Sequence, residues 1–165
     1  MKEDFNLLEE IIDKEITAYS QLHELCIIKQ ETLVKNKAKE LIEIDSKIIN
    51  KIQTIKPLVQ ERKKLSKKIS NEELNLSQII EKTAKINPDL SKKFATKKEK
   101  INELLKEIKR TESINSNLIK HGIKLVEKTA QIIFSSIIPN SDKYNNQGKL
   151  DNPLQIPLSS VNEEI

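Results

Sequence analysis

The chain has 165 residues with a formal net charge of +4; one-third of its side chains are charged, 3% are aromatic, and it holds two glycines and no tryptophan. Few aromatics with abundant Ile, Leu, Lys and Glu argue against a compact mixed fold and for long helices in one domain of modest stability. Cys26 is the single cysteine, so no intrachain disulfide can form, which fits a reducing compartment.

The charge is unevenly spread. Residues 1–31 carry 8 acidic and 3 basic side chains (net −5), residues 32–110 carry 11 and 21 (net +10), and residues 111–165 carry 6 and 5 (net −1). A basic middle can touch nucleic acid, but acids interleave most of these lysines and no stacking aromatics accompany them. The expectation is a solvated face and no nucleic-acid partner. Met1-Lys2-Glu3-Asp4-Phe5 is acidic and unlike a secretory signal, and no apolar run approaches the roughly 20 residues that span a bilayer. The expected protein is cytoplasmic, without membrane insertion.

In chain order, the first predicted helix covers about residues 4–69. Phe5, Ile12, Tyr19, Cys26 and Leu33 recur every seven residues, and after a one-residue slip the series resumes as Val34, Leu41, Ile48, Ile55, Arg62 and Ile69. Sustained seven-residue spacing is the mark of left-handed, coiled-coil-like packing. The slip at Leu33-Val34 predicts a local relaxation of the supercoil, and Pro57 predicts a kink or break near Lys56. Arg62 on a seam position predicts a stem laid on apolar surface with its head in water. A second helix, capped by Ser70 or Asn71, covers about 71–86, and a third runs from Pro88 to residue 138, the proline falling early in its first turn.

The third helix changes character partway. Leu90, Phe94, Ile101, Leu104, Leu105 and Ile108 fall within an arc of roughly 100°, the width of one packed seam. From Ile114 onward the arc widens to roughly 200°. Ile119, Ile123, Val126, Ala130, Ile133, Phe134 and Ile137 continue the first stripe, while Ile114, Leu118, Leu125 and Ile132 add a second beside it. The fold class expected is all-α: an elongated antiparallel long-helix hairpin, or a three-to-four-helix left-handed coiled-coil-like bundle. It forms one domain over residues 1–138. Residues 139–165, with three of the five prolines, read as a mobile tail.

No catalytic constellation stands out. The only glycines, Gly122 and Gly148, make no phosphate loop. His23 and Cys26 lie one turn apart, but only His121 could join them, too few nitrogen ligands for a zinc site. Cys26 reads as a small core residue, and the chain reads as a binder rather than an enzyme.

Leu7-Leu8, Tyr19, Leu22, Leu25 and Lys29 are followed by Leu58-Val59-Gln60-Glu61-Arg62-Lys63-Lys64-Leu65, then by Asn117-Leu118-Ile119 leading into Leu125-Val126 and Ile132-Ile133, and finally by Tyr144-Asn145-Asn146-Gln147-Gly148. In this order they resemble the flagellar export chaperones called FlgN, over roughly residues 5–150. The high lysine content and the segment Asp151 to Ile165 depart from that family. The resemblance implies a cytoplasmic type III secretion chaperone that binds the unfolded terminal segment of hook–filament junction proteins of the FlgK and FlgL type. It would hold them monomeric and dock on the export gate protein FlhA, with neither ATP nor metal as cofactor. Tyr144 matches the family's gate-contacting tyrosine.

The residues supply a compatible mechanism. The face formed by Ile114, Leu118, Leu125, Val126, Ile132, Ile133 and Phe134 would receive an amphipathic client helix. Two other uses of the same face stay open: packing on the chain's own first helix, or pairing with a second copy in a homodimer. A structural coiled-coil scaffold or dimerisation rod with no client is the rival reading from another class.

Overall fold

The structure is a computed structural model that describes residues 2–137. It contains four helices, α1 (Lys2–Val34), α2 (Ala38–Ser70), α3 (Leu76–Ala84) and α4 (Pro88–Ile137), and no strand among the described residues. The chain divides into two compact units, Met1–Gly122 and Ile123–Ile165. The fold is all-α, as the composition and periodicity predict.

The helix expected over about 4–69 is two helices. The chain reverses at Lys35-Asn36-Lys37, where Asn36 takes a left-handed conformation (φ 53°). The Lys37 N–H donates to the Thr32 carbonyl (3.1 Å) and the Asn36 N–H to the Leu33 carbonyl (3.1 Å). These are the two bonds of a Schellman motif, which satisfies the last carbonyls of α1 with asparagine in the place glycine usually takes. The slip between Leu33 and Val34 is therefore the trace of a turn, not of a relaxed supercoil.

Pro57 lies inside α2 and does not end it. A mid-helix proline costs about 3 kcal/mol. Burial of Ile55 and the half-burial of Leu58 and Val59 around it hold the helix together. α2 stops at Asn71, again left-handed (φ 60°), so Asn71 closes α2 rather than opening the next helix. α3 starts later and is shorter than expected. Its N-cap is Asn75, whose side chain accepts from the Gln78 N–H (3.0 Å) while Gln78 Oε1 accepts from the Asn75 N–H (2.9 Å). This reciprocal pair is a capping box. α4 begins at Pro88 as predicted, with Asn87 Oδ1 accepting from the Leu90 N–H (3.1 Å).

Cross-helix contacts fix the topology of the first unit. Lys68 meets Asp4, Arg62 meets Glu15, Lys51 meets Gln21, and Lys29 meets Asp45. Numbers rise on α1 as they fall on α2, so the two are antiparallel. Lys97 reaches Glu9 and Asp13, and Asn115 reaches Cys26, so α4 runs parallel to α1. Ser91 Oγ donates to the Ile80 carbonyl (2.9 Å) and Lys98 Nζ to Ser77 Oγ (2.8 Å). α3 is accordingly antiparallel to α4, and the break at Pro88 is a full reversal.

The core lies where α1, α2 and this part of α4 converge. Leu8, Ile11 and Ile12 of α1, Leu65 of α2, Leu74, Ile79 of α3, and Phe94 and Ile101 of α4 form one buried cluster. Ala18, Leu22, Cys26 and Ile55 form a second, with Ile108 packed against it. Each aliphatic side chain so buried contributes roughly 1.5–3 kcal/mol. One polar pair sits within this core. Arg62 Nε donates to Glu15 Oε1 at 2.7 Å, with side chains 10% and 1% exposed. The Arg62 head is thus sequestered, not wet as its seam position suggests. Burial drives the Glu15 carboxyl above its ordinary pKa, and the Arg62 partner only partly opposes this.

Candidate functional site

Within the first unit, α4 presents its predicted seam to the core. Phe94, Ile101 and Leu104 are buried, Leu90 and Ile108 are half-buried, and Leu105 is exposed. The seam then turns polar. Thr111 and Asn115, at helical spacing from Ile108, are buried (7% and 0% exposed). Asn115 Nδ2 donates to the Cys26 carbonyl (3.0 Å) and to Glu112 Oε1 (3.0 Å), while Asn115 Oδ1 is buried without a partner. Glu112 Oε2 lies 3.7 Å from Lys29 Nζ, which also pairs with Asp45 at 3.0 Å.

This layer links three helices and fixes the chemistry of Cys26. Burial, then a bond to the Glu112 carboxylate and that carboxylate's charge, push the Cys26 thiol up to about 12; Lys29 opposes them. Burial also works against the Lys29 ammonium, but Asp45 and Glu112 outweigh it and its pKa lies above the ordinary value. Cys26 is a core residue. Among the described residues, no group of three His, Cys, Asp or Glu side chains is placed to hold a metal.

The predicted binding residues of the first unit flank this polar seam. Ile114 is 39% exposed and Leu118 is half-buried; Ile119, which was not among the predicted contacts, is exposed beside them. They are left outside the core that Thr111 and Asn115 enter.

The described part of the second unit, residues 123–137, continues α4 without interruption. Leu125, Val126 and Ile132 are 67%, 69% and 68% exposed, and Ile123, Ile133 and Phe134 are exposed as well. Their spacing spreads them over about half of the helix circumference, at 100° per residue. Lys124, Glu127, Lys128 and Gln131 occupy the remainder, also exposed. Thr129 Oγ1 donates to the Leu125 carbonyl (2.8 Å) and Ser135 Oγ to the Ile132 carbonyl (2.9 Å). Thr129 falls within the apolar arc at 100° per residue, with its hydroxyl bonded back to its own helix. A run of exposed large aliphatics is uncommon on a helix that packs inward.

Tyr144 falls outside the described residues. Sequence reasoning missed Glu15, Thr111 and Asn115 as buried polar groups. The signal for Glu15 was its place on the seven-residue row Leu8, Glu15, Leu22, Lys29. No helix of the described residues is long and apolar enough to cross a membrane.

Comparison with curated proteins and with solved structures finds no match. The family described as FlgN protein matches residues 1–152, and over that span, nearly the whole sequence, the order of segments is the one whose resemblance was noted above. The chain belongs to the FlgN family of flagellar export chaperones.

Proposed function

We propose that this chaperone serves hook–filament junction proteins of the FlgK and FlgL type, binding their terminal segment as an amphipathic helix along the apolar arc of α4. Ile114, Leu118, Leu125, Val126, Ile132, Ile133 and Phe134 are the client contacts. The activity is binding without catalysis. One observation supports this reading above others: Leu125, Val126 and Ile132 are each about two-thirds exposed.

The affinity follows from two opposed terms. Each aliphatic side chain that becomes buried contributes roughly 1.5–3 kcal/mol. Ordering a disordered client segment costs about 2–5 kcal/mol. The balance is a reversible complex, as a chaperone that surrenders its client requires. Delivery to the export gate protein FlhA uses Tyr144, an aromatic anchor in a polar segment.

The test is copurification with the C-terminal segment of a FlgK-type or FlgL-type protein, read by size exclusion with light scattering. The expected result is a one-to-one complex that Leu125→Asp with Ile132→Asp abolishes, while the thermal melt stays within a few degrees of the parent. Unchanged client binding would refute the site. A collapsed melt would show that the arc is core. A homodimer that ignores every such segment would place the chain with scaffolds.

A further inference from the structure

Acids and lysines alternate along the middle of the sequence, but α2 sorts them by face. At 100° per residue, Lys39, Lys56, Lys63, Lys64 and Lys67 fall within an arc of about 140°. All five are exposed, and none has an ion pair among the described residues; the pairs in the second half of α2 belong to Arg62 and Lys68. Glu40, Glu43 and Glu61 fall outside the arc. Asp45 lies within it, and Lys29 holds its carboxylate at 3.0 Å. The other positions of the arc are uncharged or aliphatic. Ile42, Ile49 and Ile52 are 71%, 55% and 40% exposed there, and none is packed against either core cluster. The buried residues of α2, Ile44, Ile55, Arg62 and Leu65, lie on the opposite side of the helix.

The outer face of α2 thus joins protruding hydrocarbon to unpaired positive charge on one helix. A phosphate backbone answers the lysines and leaves the isoleucines without a use. A bilayer interface answers both, with negative headgroups for the lysines and the acyl boundary for the isoleucines. The residue types point the same way. The unpaired cations are all lysines, compact charges that meet mobile headgroups in any orientation, whereas the planar fork of arginine suits carboxylates and phosphates at fixed positions. No aromatic on the arc could stack on a base. The charges are spread over about 42 Å from Lys39 to Lys67, at 1.5 Å per residue. They stand on the convex crest of a single helix, which meets a plane more readily than it encloses a partner helix.

We propose that the outer face of α2 is a peripheral membrane surface that adsorbs to bilayers rich in anionic phospholipid. Ile42, Ile49 and Ile52 enter the headgroup–acyl boundary, and Lys39, Lys56, Lys63, Lys64 and Lys67 pair with the headgroups. This is adsorption without a spanning helix. It goes beyond client binding on α4 and does not depend on it. The attraction is largely Coulombic and so weakens with salt.

The test is cosedimentation of the full chain with vesicles of equal parts phosphatidylglycerol and phosphatidylcholine, against vesicles of phosphatidylcholine alone. Binding to the anionic vesicles is expected to be at least about tenfold tighter and to fall as salt is raised. Lys56→Gln with Lys63→Gln and Lys64→Gln alters exposed, unpaired side chains, so the variant should fold, as a parental melt will show. It should bind the anionic vesicles at least about tenfold more weakly. Removing the same charge from α4, by Lys100→Gln with Lys106→Gln and Lys109→Gln, should cost no more than about threefold, which separates the face from net charge. Ile42→Gln with Ile49→Gln should weaken binding at least about threefold, which separates adsorption into the interface from attraction alone. Leu125→Asp with Ile132→Asp should leave vesicle binding unchanged; its loss there would move the membrane surface to the α4 arc and overturn the proposal. Equal binding to both kinds of vesicle, or parental binding by both α2 variants, would also overturn it. So would capture of polyglutamate or duplex DNA through Lys56, Lys63 and Lys64 without vesicle binding, which would assign the face to an acidic polymer.

Discussion

Replacing Arg62 with alanine tests how the core of the first unit tolerates charge. Arg62 Nε and Glu15 Oε1 are 2.7 Å apart with both side chains almost fully covered, and Glu15 makes no other hydrogen bond among the described residues. Arg62→Ala therefore leaves a carboxylate buried and unpaired. Breaking a buried pair from one side costs about 3–5 kcal/mol, a large share of the roughly 5–15 kcal/mol that holds a domain folded. At about 2–4 °C per kcal/mol for a chain of this size, the melt should fall by roughly 6–20 °C at pH 7. Acid should repair part of this. The Glu15 pKa is raised by burial even with Arg62 present, and losing the guanidinium raises it further. A group with a raised native pKa gives stability that is complete below its unfolded pKa and lost as pH climbs through the native value. The deficit of the variant against the parent should thus be full at neutral pH and shrink toward pH 4. Glu15→Leu with Arg62→Met should recover the parental melt or exceed it by about 1–4 kcal/mol, because the desolvation cost of both charges disappears. The assay is thermal circular dichroism across pH. A loss under about 1 kcal/mol at pH 7, or a deficit that does not change with pH, would refute the reasoning.

Three further outcomes follow from single residues. Gly122 lies inside α4 with nothing within 4 Å of where a Cβ would stand, so Gly122→Ala should raise stability by roughly 0.5–1 kcal/mol in a urea melt; any loss would show a need for glycine there. The Cys26 thiol, buried and pushed up to about 12, should resist a disulfide-exchange reagent at pH 8 in buffer and react fully in urea; fast labelling of the native chain would contradict the buried geometry. Asn75→Ala removes one half of the α3 capping box and should cost about 1 kcal/mol, visible as faster amide exchange over α3; unchanged exchange would show that packing alone holds this short helix.

Much of the fold was legible because hydrophobic period reports which face of a helix is covered. Phe94, Ile101 and Leu104 are buried where that period puts them. What period does not report is whether a helix continues or doubles back, since both keep the same residues inward. The reversal at residues 35–37 contains neither proline nor glycine, and its left-handed residue is Asn36. The visible trace was a one-residue slip, which a continuous coiled coil can also carry. Pro57 is the opposite case: local propensity allows a kink or a break there, and α2 runs on through it with Ile55, Leu58 and Val59 packed around it.

The polar groups explain why the candidate site was only half legible. Glu15 and Arg62 each occupy a seven-residue apolar row, yet they are 47 positions apart, and no local pattern says that one answers the other. Asn115 and Thr111 hide in the same way, at core spacing from Ile108 on α4. In the structure the seam itself stays narrow and turns polar, tied at Asn115 to the Cys26 carbonyl. Ile114 flanks it and is exposed, and Leu125 and Ile132, on the same row, are exposed further on. The second stripe is what the core leaves out. Exposed aliphatics at helical spacing lower the solubility of a chain with no use for them, so their presence beside a polar seam favours a partner that covers them.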